Sequence, residues 1–162
     1  AHRDRRVAVD WRRLPVTGVS FLDAQAYVAW LAATGRVPRA RLCSEYEWER
    51  AARGADERLF PHGDRVARDD ANLILTYDKD PGGIGPDEVG EHPASRSPFG
   101  VDDLLGNAFE WVVPSISKQT AAARGGSYNY GDRTSNTISR QEPQPAFRDA
   151  TLGLRVCADL QP

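Results

Sequence analysis

The feature that most constrains the fold is a short helix whose start and end are both marked in the sequence. In residues 41–54, RLCSEYEWERAARG, Ser44 and Glu47 form a serine-x-x-glutamate capping box. Each of these side chains can satisfy a backbone N–H at the helix start, and Gly54 marks the end. Such a segment predicts a helix bounded on both sides.

A second helix is predicted earlier in the chain. Ser20 is a suitable N-cap, Asp23 lies in the first turn, and Gly35 supplies the stop. One face is apolar with helical spacing, formed by Ala24, Tyr27, Val28 and Leu31. Two helices of about 10 to 13 residues are therefore expected.

Beyond residue 55 the helical pattern ends, and glycine and proline become frequent. Three short apolar stretches between these loops, 106–113, 123–130 and 151–158, predict strands of a mixed sheet. Because loops this long in a compact domain are usually functional or held by an ion, they are the place to look for a site.

Charge and hydropathy argue against two classes of partner. The chain has 21 basic and 23 acidic residues, mixed along its length, for a net charge of −2. This balance indicates no nucleic-acid surface. No apolar run approaches the roughly 18 residues of a membrane span, so no membrane partner and a cytoplasmic location are expected.

Cysteine and histidine usage gives two further expectations. Cys43 and Cys157 lie far apart, and a small secreted disulfide scaffold would carry more cysteines, so two buried thiols are expected. His2, His62 and His92 lack ligand-like spacing, which argues against a zinc site.

Seven segments from residues 15 to 158 together resemble the formylglycine-generating-enzyme family, also called the sulfatase-modifying-factor domain. In chain order they are PVTGVSFLDAQAYVAWL, RLCSEYEWERAARG, FPHGD, AN at 71–72, VGEHPASRSPFGVDDLLGNAFEWV, RGGSY and LGLRVC. The second stands where the family has R-L-P-T-E-A-E-W-E-x-A-A-R-G. Any one of these strings alone would be weak.

The resemblance implies an α+β, C-type-lectin-like fold. Two short helices are expected around a small twisted antiparallel sheet with much ordered loop. The domain would span 15–160 after an N-terminal extended segment, 1–14. Trp48 and Trp111 are expected inside. Ion pairs and backbone bonds that hold loops are expected from Arg41, Glu47, Glu49 and Arg53.

Catalytic members of the family hold copper with two cysteines shortly after the G-G-S-Y string, since a thiolate pair suits Cu(I). Here the two positions fall on Tyr130 and Ser135, and that of the active-site histidine falls on Gly131. Ser127 is retained. Neither copper nor iron is therefore expected in this chain. The alternative is an oxidoreductase, of the formylglycine-generating or iron-dependent sulfoxide-synthase type, whose metal ligands lie outside this chain.

Members without the cysteines resemble domains attached to bacterial signalling kinases and the variable proteins of diversity-generating retroelements. The resemblance implies a protein- or small-molecule-binding module that uses the loops between residues 128 and 148. The candidate ligand-binding residues are Tyr128, Asn129, Tyr130, Asp132, Arg133, Asn136 and Arg140. Tyrosine and arginine favour such a role because they give large contact areas.

The family also commonly binds calcium through carbonyl and carboxylate oxygens. The matching positions are Asn72 with the Leu73 carbonyl, and Asn107 with Glu110. The acidic partner of the first pair falls near Pro81, with Asp78 and Asp80 as substitutes. In the alternative interpretation, Asn107 caps a turn and Glu110 pairs with an arginine.

Overall fold

The computed structural model describes residues 9–77, 83–116, 118 and 120–160. The described residues form two α-helices and six short strands. The helices are α1 (Phe21–Ala33) and α2 (Glu45–Arg53). The strands are β1 (Ala40–Leu42), β2 (Phe109–Val112), β3 (Ala122–Arg124), β4 (Arg140–Gln141), β5 (Leu152–Leu154) and β6 (Val156–Ala158).

Both helices begin where the sequence predicts. Ser44 Oγ accepts from Glu47 N at 3.3 Å, and the Glu47 carboxylate accepts from Ser44 N at 2.8 Å, which completes the capping box. The same reciprocal pair joins Ser20 and Asp23. Gly54, at φ 74°, ends α2 in a backbone conformation that favours glycine.

The strands form two sheets. The larger has the order β4-β3-β2-β5, in which β2 pairs antiparallel with β3 and parallel with β5. The smaller joins β1 to β6 antiparallel. The predicted strand 151–158 is thus two strands, because the chain leaves one sheet at Leu154 and enters the other at Val156. The larger sheet is mixed rather than wholly antiparallel.

Two tryptophans occupy the interior, as expected. Trp111 is fully buried in β2, and Phe21 of α1 packs edge-on against it at 5.8 Å between ring centroids. Trp48 of α2 is buried in a second cluster with Leu104 and Val112. The core therefore lies between the helices and the β2 strand.

The N-terminal segment is not wholly extended. Asp10 caps one turn of 3-10 helix, Trp11–Arg13, by accepting from Arg12 N. The carbonyl of Arg13 then accepts from Val89 N at 2.9 Å. This bond holds the segment against the loop around residue 89. None of the helices in the described part of the chain reaches the length and apolar character needed to cross a bilayer.

The expectation of two buried thiols is wrong. Cys43 and Cys157 form a disulfide bond, with their Cα atoms 5.1 Å apart. The pairing of β1 with β6 places Arg41 opposite Cys157. Cys43, which follows β1 directly, therefore lies next to Cys157. A sequence separation of 114 residues hides such a contact from sequence inspection.

The disulfide predicts a measurable loss of stability on its removal. Because it closes a long loop in the unfolded chain, the double variant Cys43→Ala/Cys157→Ala should unfold with a free energy lower by about 2–4 kcal/mol in urea. The wild-type protein, denatured without a reducing agent, should take up no thiol-alkylating label. Labelling of both cysteines would contradict the pairing.

A second prediction concerns pH and the start of α2. Hydrogen bonds from Arg41, at 2.7 and 2.6 Å, lower the pKa of Glu47 from 4.5 to about 2. A carboxyl group whose pKa is lower in the folded state stabilises the fold fully at pH values above its pKa in the unfolded state. This contribution is lost as pH falls towards 2. Glu47→Gln should therefore cost about 0.5–1 kcal/mol at pH 7. Urea titrations should show the difference vanishing near pH 2, and a constant difference would oppose this account.

Candidate functional site

The predicted binding loop leaves β3 through two glycines. Gly125 and Gly126 have φ of 95° and 78°, a region that side chains other than glycine rarely adopt. A Cβ on Gly126 would also lie 2.1 Å from Ser135 Oγ, so a larger residue has no room. The glycines turn the chain sharply, after which Ser127 points inward and Asn129 is exposed.

Buried residues anchor this loop from below. Ser127, Ser135 and Thr137 are each fully buried. Thr137 is bonded to the carbonyls of two other residues: its N–H donates to Leu59 at 2.9 Å and its hydroxyl donates to Arg58 at 3.0 Å. Between these anchors the loop side chains face outward, which leaves an exposed surface on a fixed base.

Arg140, a predicted ligand contact, belongs to this base. Its guanidinium binds the buried Glu45 carboxylate at 2.8 and 3.2 Å and Glu142 at 2.6 Å. Burial would raise the pKa of Glu45, but the bonds from Arg140 and from the Ser115 N–H lower it. We infer that Arg140 positions β4.

A cavity of about 350 Å³ opens beside the loop, and we call it the Tyr130 pocket. Tyr130 is half buried and packs edge-on against Phe109, with ring centroids 5.0 Å apart. Of the predicted residues, Asn129 and Tyr130 line the cavity. Its other lining residues are Phe109, Gln141, Glu142, Pro143, Phe147, Asp149, Thr151 and Leu152.

The remaining predicted residues do not line this pocket, and their roles differ. Asp132 lines a separate cavity of about 300 Å³ with Gly131, and Arg133 is exposed. Asn136 braces its own turn, because its side-chain oxygen accepts from the N–H groups of residues 138 and 139. The Tyr128 hydroxyl donates to the Ala150 carbonyl at 3.4 Å. The structure thus brings together Asn129 and Tyr130 but not all seven.

Sequence reasoning missed Phe147 and Asp149 on the far wall. The prolines of the segment QEPQPAFRD indicate a loop. A single phenylalanine within that polar loop was the available sequence signal, and the structure shows Phe147 exposed. Arg148 between them forms two 2.8 Å hydrogen bonds to Asp23 at the start of α1. Together with Ser20, whose hydrogen bonds dominate, Arg148 lowers the pKa of Asp23 to about 2.

The sequence matches a known family over nearly its whole length. A profile of the sulfatase-modifying factor enzyme 1-like domain, FGE-sulfatase, matches residues 2–160. The chain belongs to the FGE-sulfatase family. The predicted C-type-lectin-like α+β architecture is confirmed by solved relatives. Variable protein 1 of Treponema denticola has a TM-score of 0.78 at 18% identity, covering 96% of this chain and 74% of that one. PvdO from Pseudomonas aeruginosa has a TM-score of 0.75 at 27% identity, covering 91% and 63%.

Curated relatives carry different functional names. The chain is 39% identical over 159 aligned positions to the inactive C-alpha-formylglycine-generating enzyme 2 of Mus musculus, covering 90% of this chain and 49% of that protein. It is 37% identical over 173 positions to hercynine oxygenase of Mycobacterium tuberculosis, covering 90% and 37%. The chain spans half or less of the length of these two proteins. Their similarity therefore supports the family of this chain and leaves its activity to be proposed.

The positions that match the copper cysteines of FGE-sulfatase enzymes do not offer thiolates. Ser135 is fully buried, and its hydroxyl has no hydrogen-bond partner among the described residues. Tyr130 is packed against Phe109. Both cysteines of the chain are bonded to each other at the β1–β6 sheet. A donor set of one phenol and one hydroxyl does not fit Cu(I).

The candidate calcium ligands can be compared with the structure in the same way. Glu110 does not fit, because both its oxygens accept from Arg155, at 2.6 and 2.8 Å, and one also accepts from Trp48. The Asn107 side-chain oxygen accepts from Asp87 N at 2.8 Å. Pairing with an arginine, the alternative interpretation, is confirmed for Glu110. Calcium at this pair stays a prediction that the charges do not favour.

The structure describes both residues of the first candidate calcium pair, Asn72 and Leu73, but not their expected acidic partner. The Asn72 side-chain oxygen is buried and without a hydrogen-bond partner among the described residues, as an ion ligand could be. The Leu73 carbonyl, however, accepts from Thr76 N at 2.9 Å. Pro81, Asp78 and Asp80 lie outside the described residues. Over the part of the chain that is described, no three histidine, cysteine or acidic side chains are grouped so as to hold an ion.

The buried charge network under β4 gives a third prediction. Glu45→Gln removes the charge that Arg140 and the buried Arg124 face, and it should lower the free energy of unfolding by about 3–5 kcal/mol. Urea denaturation measures this loss. Glu57→Gln, at an exposed position in the loop after α2, is the matched control and should stay within about 0.5 kcal/mol of wild type. Equal stabilities of the two variants would contradict the role given to Glu45.

Proposed function

We propose that this chain is a non-catalytic binding module that recognises a protein or small-molecule ligand through the loops 128–148. The observation that carries the proposal is the Tyr130 pocket, where aromatic and acidic side chains line a cavity on a rigidly held base. Pockets of about 300–1,000 Å³ with apolar walls and a few polar groups are typical ligand sites.

The make-up of the pocket supports recognition rather than redox chemistry. Tyr130 and Phe147 supply aromatic surface, and Asp149 supplies negative charge. Glu142 adds a polar edge that is paired with Arg140. Tyrosine and phenylalanine give contact area at low cost in conformational entropy. Because the family's copper positions carry a tyrosine and a serine here, the chain itself lacks the thiolate pair that the catalytic members use.

The relatives support the same conclusion. One curated relative is named an inactive formylglycine-generating enzyme, and a variable protein shares the fold at a TM-score of 0.78. A finer proposal is that this chain is itself a variable protein of a diversity-generating retroelement, or a domain attached to a signalling protein. In the first case, copies from one genome would differ chiefly at exposed positions between 128 and 148, and buried Ser135 and Thr137 would stay constant.

The disulfide bears on location. Disulfides persist in oxidising compartments and are rare in the reducing cytosol. We propose that this domain works in an oxidising environment, in place of the cytoplasmic location that the sequence suggested. The purified, unreduced protein from its native source would show the Cys43–Cys157 peptide pair if this is right.

A second candidate function is supported by one observation, the 37% identity to hercynine oxygenase over 90% of this chain. In that case the domain would form part of an oxidoreductase whose metal ligands lie in residues outside this chain. A polypeptide that carries this chain together with those residues, supplied with Cu(I) or Fe(II) and a thiol, should consume no oxygen above the metal-only rate if the binding proposal is correct. Stoichiometric metal uptake with sustained oxygen consumption would favour the oxidoreductase.

The binding proposal predicts the effect of removing one side chain of the pocket, Phe147, and one exposed side chain of the loops 128–148 outside it, Arg133. Peptides selected from a displayed random library on the wild-type protein should lose at least tenfold in affinity for Phe147→Ala and for Arg133→Ala. Neither position contributes to the core, so the melting temperature should stay nearly unchanged. Tyr130→Ala is less suitable, because Tyr130 also packs on Phe109.

Phe99→Ala is the matched control. Phe99 is exposed to 57% and Phe147 to 49%, but Phe99 lies over Arg50 on α2, away from the pocket. Isothermal titration calorimetry compares the affinities. If Phe147→Ala and Phe99→Ala bind the selected peptides equally well, the Tyr130 pocket is not the recognition site.

A further inference from the structure

The helix α1 is apolar on its solvent side as well as on its core side. Only Asp23 and Gln25 of its 13 residues have charged or amide side chains. A helix that is apolar all round is normally buried on every side, and exposed apolar patches on soluble proteins commonly mark interaction sites. The core side is formed by the buried residues Phe21, Ala24, Val28 and Leu31.

The solvent side of α1 carries a regular apolar seam. Leu22, Ala26, Ala29 and Ala33 are all exposed, and they follow one another at spacings of four, three and four residues. This is the spacing of a helix that packs along its length against a second helix. Trp30 flanks the seam and is 44% exposed, so it adds a large aromatic surface. We call these five residues the α1 face.

The sizes of the seam residues match those of a second copy turned end to end. Leu22 is large, and Ala33 at the other end of the seam is small. In an antiparallel pair with two-fold symmetry, Leu22 of each copy packs against Ala33 of the other, and Ala26 faces Ala29. A parallel pair would oppose two leucines at one end and two alanines at the other, which leaves a gap. Two-fold contacts use the same surface of both copies, and dimers of this symmetry are the commonest oligomers of soluble proteins.

The charges at the edge of the α1 face also match in the antiparallel arrangement. The Arg36 guanidinium carbon lies over the Trp30 ring, 4.8 Å from its centroid, and Arg36 forms no ion pair with any described carboxylate. Asp23 precedes Trp30 by seven residues and therefore lies on the same flank of the helix. Its side chain stays 39% exposed although it is bound to Arg148.

The register of the antiparallel pair brings these two charges together. Where Leu22 faces Ala33 of the second copy, Trp30 is level with residue 25, two residues from Asp23. Equal flanks of the two helices meet in such a pair, so Arg36 of one copy approaches Asp23 of the other. The opposite ends of the two helix dipoles also lie side by side, which is favourable.

We propose that a second copy of this chain covers the α1 face, in an antiparallel α1–α1 contact with two-fold symmetry. A helix of 13 residues is about 20 Å long, so the contact is smaller than the roughly 1,200–2,000 Å² in total that specific, stable interfaces bury. The dimer is therefore weak and reversible. The α1 face shares no residue with the Tyr130 pocket, and the proposal is independent of the function proposed for that pocket.

Sedimentation velocity of the wild-type protein tests the association. Between about 5 and about 500 µM, the range expected of a weak interface, the average mass should rise towards that of a dimer. Ala29→Glu places a charge at the centre of the α1 face and should raise the dissociation constant at least tenfold. Because Ala29 is exposed, the melting temperature of the dilute variant should stay nearly unchanged.

Tyr46→Glu is the matched control. Tyr46 is also exposed, at 64%, but it lies on α2, and its substitution adds the same charge. This variant should keep the dissociation constant within twofold of wild type. A wild-type protein that stays monomeric over the whole range, or equal effects of the two substitutions, would overturn the proposal.

Two mixing experiments test the symmetry of the contact. Ala29→Glu protein mixed with Ala29→Lys protein should form mixed dimers, because the two positions lie across the axis from each other and carry opposite charges. Leu22→Cys protein mixed with Ala33→Cys protein should be joined by a short bismaleimide cross-linker, which the native cysteines cannot react with because they are bonded to each other. Ala33→Cys protein alone should not be joined, since its two sites would lie about 16 Å apart along the helices. Failure of the charge-swapped mixture to associate, or cross-linking of Ala33→Cys protein alone, would contradict the antiparallel contact.

Discussion

The carboxylate of Glu110 holds together three parts of the chain that the sequence separates widely. It lies on the central strand β2 and accepts from the indole N–H of Trp48 on α2, at 2.6 Å. It also accepts two hydrogen bonds from Arg155, the residue at which the chain passes from the large sheet to the small one. Replacing this carboxylate would leave the half-buried Arg155 guanidinium without its ion-pair partner and the buried Trp48 indole N–H without an acceptor. Helix, sheet and sheet junction therefore depend on one side chain.

Local signals foretold the helices and the family. Ser20 and Ser44 cap both helices as expected, because a capping box acts within four residues and can be read directly. Trp48 and Trp111 are buried as expected, because each lies on the apolar face of its helix or strand. The strand 151–158 was recognised as apolar, but its division at Arg155 was not, since a change of sheet depends on strand partners 43 or more residues away.

The candidate site was only partly foretold, for the same physical reason. The predicted ligand-binding residues Asn129 and Tyr130 line a cavity whose other walls include Phe147 and Asp149. A salt bridge between Arg148 and Asp23 holds those two residues near α1. Arg140 was predicted as a contact residue because arginine gives a large contact area and this position lies in the loops 128–148. Its true partner, Glu45, is 95 residues away. The Cys43–Cys157 pair was missed on the same grounds.

The Cys43–Cys157 bond also has a mechanical meaning. It encloses residues 44–156 in one covalent ring, so tension applied to the chain outside that ring passes from one sulfur to the other. The loops 128–148 lie inside the ring and carry none of that load. A recognition surface built this way would keep its shape while the polypeptide on either side is stretched.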